Sequence, residues 1–314
     1  MSSAPANSAL SSRRRPDWWI YVTGLLLTLQ IVFFIVPHLA PGKAGFACWM
    51  FGSDRLLWWM VGTALMLVAI IWSLWRRPIW RRWRLAGLGA IVLLGLSPAA
   101  FQVYPSSYDD RPSEIPFRLP LDGPITVGWG GSTPAVNYHV VAADQRWAYD
   151  LLVTRDGKTH RGEGLTCEEY YCYGLPVLAS ADGVVEAVFD GEADAPVGVL
   201  GGFTLAGGNQ VVLRVAPGQF LFLCHLKRGS LTVKQGDSVA AGQTLGLVGN
   251  SGNTSEPHLH IHLQDSPQPH LGEGIPLYFH NYRADGQLIP RGIPTGGVSK
   301  AGFTGQIVEH AGPD

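Results

Sequence analysis

Nine of the ten histidines lie after residue 138, and three of them alternate in Pro257-His258-Leu259-His260-Ile261-His262. On a strand, residues two apart share a face. His258, His260 and His262 then form one row of imidazoles, with Leu259 and Ile261 turned to the core. Two neighbouring imidazoles on a rigid strand are a natural partial site for zinc. An exposed polar strand face gives the same pattern with no metal. Asp150 is out of place in the apolar run Trp147–Val153. Burying an unpaired carboxylate costs several kcal/mol, so this one needs a cation or several hydrogen bonds. A metal meets that need, and so does a salt bridge. A hairpin turning at Asp144-Gln145 sets His139 opposite Asp150, with Cβ atoms about 5 Å apart on one face. Asp-Gln is not a favoured two-residue turn, which leaves that register open. His225, inside the apolar run Phe220–Leu226, reads either as a core histidine or as a further site residue.

The elements around these residues read as short strands. Val-, Leu-, Phe- and Tyr-rich runs at Trp147–Val153, Pro176–Ala179, Val184–Phe189, Gln210–Val215, Phe220–Leu226 and Leu245–Val248 are broken by Gly, Asn and Asp. That spacing indicates an all-β sandwich or barrel. The Gly- and Ala-rich stretch from Ala193 to Gly208 is a long loop and a candidate wall beside the site. No phosphate loop and no dinucleotide fingerprint occurs.

The first third is different. Trp18–Val36, Leu56–Trp75 and Leu85–Tyr104 are uncharged runs of 19, 20 and 20 residues, the last containing Pro98. Twenty helical residues span about 30 Å, the thickness of a hydrocarbon core. Three transmembrane helices over residues 18–37, 56–75 and 85–104 are expected. The 314 residues carry a net charge of -1, which hides a division. Residues 1–104 hold ten Lys and Arg against Asp17 and Asp54, a balance of +8, and the remainder balances at -9. Arg13, Arg14 and Arg15 precede the first run, and Arg76, Arg77, Arg81, Arg82 and Arg84 fill the link between the second and third. The positive-inside rule puts residues 1–17 and that link in the cytoplasm, and everything after the third run outside. Cleavage of the first run as a signal peptide is the lesser reading, because no small-x-small site follows it. No Asp, Glu, Lys or Arg lies within the runs, which disfavours an ion or proton path and favours an anchor. The acidic second part disfavours nucleic acid as a partner.

The stretch Gly174–Gln264 resembles the lysostaphin-type, or LytM-type, zinc metalloendopeptidases that cut bacterial peptidoglycan. The matching segments are Gly174–Val185, Gly208–Val212, Leu223-Cys224-His225-Leu226, and Val233–Asn253 followed by Pro257-His258-Leu259-His260. The resemblance implies a sandwich-like domain of the duplicated hybrid motif type. It implies zinc held by His139, Asp150 and His260, with His225 and His258 in catalysis. The family's upstream motif has three residues between His and Asp; ten separate His139 from Asp150. His160 is the alternative ligand. His262 stands where the family often has Glu and is expected beside the site without binding metal. Three ligands leave a fourth tetrahedral place for water, and one of His225 and His258 would take a proton while the other steadies the oxyanion. The implied substrate is the peptide part of peptidoglycan, outside the cytoplasmic membrane. Some relatives have lost ligands and act as regulators of other wall hydrolases; loss of a ligand would mark that alternative.

The expected organisation is therefore a cytoplasmic N-terminus at 1–17, three membrane helices within 18–104, a Pro-punctuated linker at 105–120, an extracytoplasmic peptidase domain at 121–294 and a tail at 295–314. Membrane lipid is the expected partner of the helices, and the sequence names no protein partner. An oxidising compartment permits a disulfide between Cys167 and Cys172, while Cys48 and Cys224 have no evident mate.

Overall fold

Four helices open the chain: α1 (Trp18–Leu39), α2 (Lys43–Ser53), α3 (Arg55–Trp75) and α4 (Arg82–Leu96), the last continuing as a 3-10 turn through Ala100. The computed structural model describes residues 16–40, 42–76, 78, 80–200, 205–299 and 302–312. The Arg13–Arg15 group and Arg77 lie outside the described residues. Asp54 caps α3 by accepting from the Leu57 N–H at 2.9 Å. Helical structure stops at Ala100, short of the expected Tyr104, because Pro98 has no N–H to continue the α-ladder. Helix α2 falls in what reads as a loop; its eleven residues are too few to span a membrane. Trp18–Leu39, Arg55–Trp75 and Arg82–Ala100 are long and apolar enough to do so.

Chain contacts divide the molecule into two units, with α1 up to Ile35 and Phe51–Phe101 in the first, and Val36–Met50 with Gln102–Asp314 in the second. In the first unit Trp19, Ala69 and Ile91 form the buried seam between helices. Gly87 is required there, since a Cβ would lie 2.6 Å from the Trp19 ring. Arg84, taken from sequence as an orientation signal, is also buried structure. Its Nε meets Asp17 Oδ2 at 2.6 Å, and its NH groups donate to the carbonyls of Ser73, Pro78 and Arg76. A buried ion pair holds only when its remaining donors are satisfied in this way.

The second unit is β-rich. Its strands are β1 (Ile125–Trp129), β2 (Tyr149–Leu152), β3 (Pro176–Leu178), β4 (Gly183–Phe189), β5 (Asn209–Ala216), β6 (Gln219–Leu226), β7 (Ser238–Val239), β8 (Thr244–Leu247), β9 (Leu259–Gln264), β10 (Phe279–Ala284), β11 (Gln287–Gly292), β12 (Val298–Ser299), β13 (Gly302–Phe303) and β14 (Ile307–His310). Ten of them form one antiparallel sheet in the order β11-β10-β14-β1-β2-β9-β6-β5-β4-β7. β3 pairs with β8, and β12 with β13. Val177 and Leu245 of the β3–β8 pair share a core with Leu151, Val211, Leu221, Leu223 and Ile261 of the large sheet. The six sequence-derived strands match β2 to β6 and β8 within about two residues at each end.

Two boundaries differ from expectation. Residues 105–120 are packed into the domain rather than left as a linker. Phe117 and Leu119 are fully buried, Phe117 bridges Phe279, and the Arg118 N–H donates to the Ser180 carbonyl at 2.8 Å. Prolines without N–H prevent a regular ladder there, so the segment reads as irregular while still burying alternate side chains. Residues 295–314 are not a loose tail either. β14 lies between β1 and β10, with Ile125 opposite Val308, which is fully buried. A four-residue strand is too short to leave a periodic signal.

Candidate metal centre

The site is assembled on β2 and β9, near the middle of the large sheet. Asp150 lies directly opposite His260 in the antiparallel register, so both project from one face. Tyr149, Leu151, Leu259 and Ile261 project from the other face and are fully buried in the core. The strand period alone therefore separates the candidate ligands from hydrophobic packing.

His139 arrives differently. No hairpin forms with its turn at Asp144-Gln145; β2 pairs instead with β1 and β9. His139 sits on a 3-10 turn, Tyr138–Val141, capped by Asn137. Asn137 Oδ1 accepts from the His139 N–H and lies 2.9 Å from Nδ1, while Nδ2 donates to the carbonyls of Gly131 and Ala148. With its amide orientation fixed by those two donations, Asn137 forces the proton of His139 onto Nδ1. Nε2 is left with a lone pair, 3.7 Å from Asp150 Oδ1. One donor atom each from His139, Asp150 and His260 lies within 4.8 Å of the others, and all three residues are buried. His160 is not in this group. It pairs with Tyr170 in a separate loop.

His225 reaches the site through a backbone irregularity. Strand alternation would send it into the core with Leu221 and Leu223. Between Val211–Leu223 and Asn209–Leu226 the pairing of β5 and β6 slips, leaving one extra residue in β6. His225 has φ +63, in the left-handed region that costs a non-glycine residue about 1–2 kcal/mol. The kink turns its ring toward His258, with centroids 4.7 Å apart, and returns Leu226 to the core. His225 Nδ1 is 2.8 Å from the Ser251 carbonyl, and His258 Nδ1 is 2.8 Å from the Glu256 carbonyl. Each carbonyl accepts only, so Nδ1 carries a proton in both rings; in neutral His225 this leaves Nε2 with the free lone pair. Burial would lower His258, but the facing Asp150 raises it and favours a proton on its Nε2 as well. His258 Nε2 lies 3.5 Å from Asp150 Oδ1.

Electrostatics suit a cation. Burial pushes His139 down to about 3 and His225 well below its ordinary value, so both rings are neutral near pH 7. Burial would raise Asp150, but the facing His139 and His258 and hydrogen bonds from His258 and His260 hold it well below the usual carboxylate range. A buried ionised carboxylate beside imidazoles that are neutral, as His139 and His225 are, or that a metal can deprotonate is the donor chemistry that a divalent cation takes.

Three further residues surround the group. The Tyr138 hydroxyl donates to Asp150 Oδ2 at 3.3 Å, and its ring lies 3.9 Å from that of His139. His262 stacks on Phe222 at 4.7 Å with 11° between planes, and its Nδ1 faces His260 Nε2 at 3.0 Å. It thus touches a candidate ligand from behind. In the sequence, adjacency to His139 is the signal that singles out Asn137 and Tyr138, and it carries no indication of these contacts. The loop after β4 lies beside this region. The Ala195 N–H donates to the Asn250 carbonyl and the Gly198 N–H to the Ser255 carbonyl, while residues 201–204 are outside the described residues. The Cys167–Cys172 disulfide is not formed. The Cys172 thiol donates to the Pro257 carbonyl at 2.9 Å and the Cys167 thiol to that of Ala195 at 3.8 Å. Each sulfur is drawn to a different loop.

Residues 158–270 match the model of peptidase family M23, a span that includes His225, His258 and His260. The chain is 36% identical over 96 residues to the DD-carboxypeptidase/endopeptidase Mpg of Neisseria meningitidis, covering 31% of this chain and 19% of the relative. It is 32% identical over 108 residues to the peptidoglycan DD-endopeptidase ShyC of Vibrio cholerae, covering 34% and 21%. It thus spans about a fifth of the length of these relatives. Among solved structures, the catalytic domain of the antimicrobial peptidase lysostaphin from Staphylococcus simulans is 21% identical, covering 48% of this chain and 86% of that one, with a TM-score of 0.28.

Proposed function

The chain carries a LytM-type domain of peptidase family M23, and from that premise we propose a membrane-anchored zinc metalloendopeptidase that cuts peptide bonds in bacterial peptidoglycan. The observation that carries this reading is the buried His139–Asp150–His260 group flanked by His225 and His258. Three protein donors, two imidazoles and a carboxylate, are the set of a catalytic zinc site, whereas a structural site closes with four. Zinc bound there supplies Lewis acidity to a water and to the scissile carbonyl. His225 and His258 move the protons. Each accepts at Nε2, and each can return the proton from the same atom to the leaving amine. Their Nδ1 bonds to Ser251 and Glu256 keep both rings from turning as the proton comes and goes. Residues 193–200, tied to Asn250 and Ser255, are assigned as one wall of the groove for an extended peptide.

The anchor is the group of three long apolar helices, with the Arg-rich link between the second and third in the cytoplasm. Val36–Met50 belongs to the same unit as the peptidase domain, which fits two crossings between them. The test is mass spectrometry of peptidoglycan after incubation with the full chain in detergent and zinc. New peptide-bond fragments are expected, absent with chelator and absent for His258→Ala. A protein that binds zinc yet releases no fragments from several peptidoglycans would instead be a regulator of other wall hydrolases. A His260→Ala or Asp150→Ala variant with full zinc content would overturn the ligand set.

A further inference from the structure

Asp150 and His260 are fixed by the central ladder of the sheet, but His139 is not. Its 3-10 turn has four residues, and such turns are weak on their own. What holds the turn comes from outside the peptidase core. The Trp49 indole Nε1 of α2 donates to the Val141 carbonyl at 2.7 Å. The Tyr104 N–H donates to the Val140 carbonyl at 2.8 Å. Trp49 and Tyr104 are buried and meet edge to face, with centroids 5.5 Å apart. Arg146 Nε donates to the Tyr104 carbonyl at 3.2 Å.

A single buried carboxylate locks this brace in place. Glu273 accepts from the Gly42 N–H at 2.8 Å, from the Tyr104 hydroxyl, and from the Ser107 hydroxyl and N–H. Glu273 therefore ties together the segment between the first two long helices, the exit from the third, and the loop after β9. Sequence separation between Gly42 and Glu273 is 231 residues. All these residues belong to the second unit.

We propose that Trp49 and Tyr104 are positioning residues for His139, so that the segment Val36–Met50 is a working part of the metal centre and not only a connection between helices. This rests on reading His139 as a ligand, but its test does not depend on that alone. Trp49→Phe keeps an aromatic ring and removes the N–H that the Val141 carbonyl needs. Lys43→Ala, on the same segment and exposed, is the control. Both are made in the full chain in detergent.

Two readouts are taken. The first is amide hydrogen exchange of the peptide covering 138–142, which needs neither metal nor substrate. Trp49→Phe is expected to exchange there about fivefold faster, the opening expected from one lost hydrogen bond, with β5 and β6 unchanged. The second is zinc affinity by chelator competition, expected to fall about tenfold, as for loss of a group that orients a ligand. Lys43→Ala should match the parent in both. Parent-like exchange in Trp49→Phe overturns the proposal. If the parent itself binds no zinc, the metal reading fails and exchange alone decides whether the brace exists. If exchange rises while zinc affinity is unchanged, the turn is braced but does not position a ligand, and the proposal is again overturned.

Discussion

Asn137 has more influence on the candidate site than its side chain suggests. It is not a candidate ligand, yet it sets which nitrogen of His139 is free. Asn137→Ala removes the acceptor for His139 Nδ1 and the cap of the turn together. Zinc affinity, measured by chelator competition, is expected to fall about 10–100-fold with the sheet intact by circular dichroism. A second residue-scale expectation concerns pH. Burial would raise Asp144, but the hydrogen bond from His270 and the nearby His262 lower it, while the same Asp144 bond raises His270. A raised histidine contributes stability below its unfolded pKa of about 6.5, and that contribution is lost as pH rises through its folded value. At the acid end, Asp144 contributes above its unfolded value and loses this as pH falls through its folded one. His270→Ala should therefore lie closer to the parent in thermal stability at pH 9 than at pH 5.5. An equal gap at both pH values would sink this pairing. At this scale the alternation of His258, His260 and His262 was legible because strand period is fixed geometry. Asn137 was not, because an amide that orients a neighbour resembles any turn asparagine.

Among the elements, β6 departs most from regularity. Its extra residue places His225 at positive φ, and the strain persists because the surrounding pairs over-determine it. Replacing His225 with Gly or Ala should abolish turnover in both cases. The Gly variant should nevertheless be the more stable of the two, by about 0.5–1 kcal/mol, the left-handed cost of Ala less the entropic cost of Gly. Denaturant midpoints of the two full-length variants decide this; an Ala variant as stable as Gly would mean the backbone relaxes. The run Phe220–Leu226 announced a strand but not its bulge, since a bulge depends on the partner strand's register. The same limit hid β14, whose membership in the sheet is set by β1 and β10 and not by its own four residues.

For the molecule as a whole, composition divided the chain near Tyr104, and the helices and the β-rich unit fall on the two sides of that division. What composition could not show is that Val36–Met50 belongs with the later part, because contacts over such sequence distances leave no local pattern. The C-terminal segment gives a direct test. Removing residues 295–314 deletes a strand from between β1 and β10 and opens two edges. Net domain stability is only about 5–15 kcal/mol, so the truncated chain should aggregate on size exclusion and hold no zinc. A monodisperse, zinc-binding product would show that β14 is dispensable. The packing of residues 105–120 has a consequence for where cutting can occur. As a free linker those sixteen residues would let the domain wander by about 22 Å root-mean-square. Folded into the domain they add no such length, and three chain connections, near Ile35, Met50 and Phe101, link the two units in place of one. In the membrane-anchored peptidase proposed above, reach would then be set by where the anchor diffuses in the plane of the membrane. Only wall strands that come down to it would be cut.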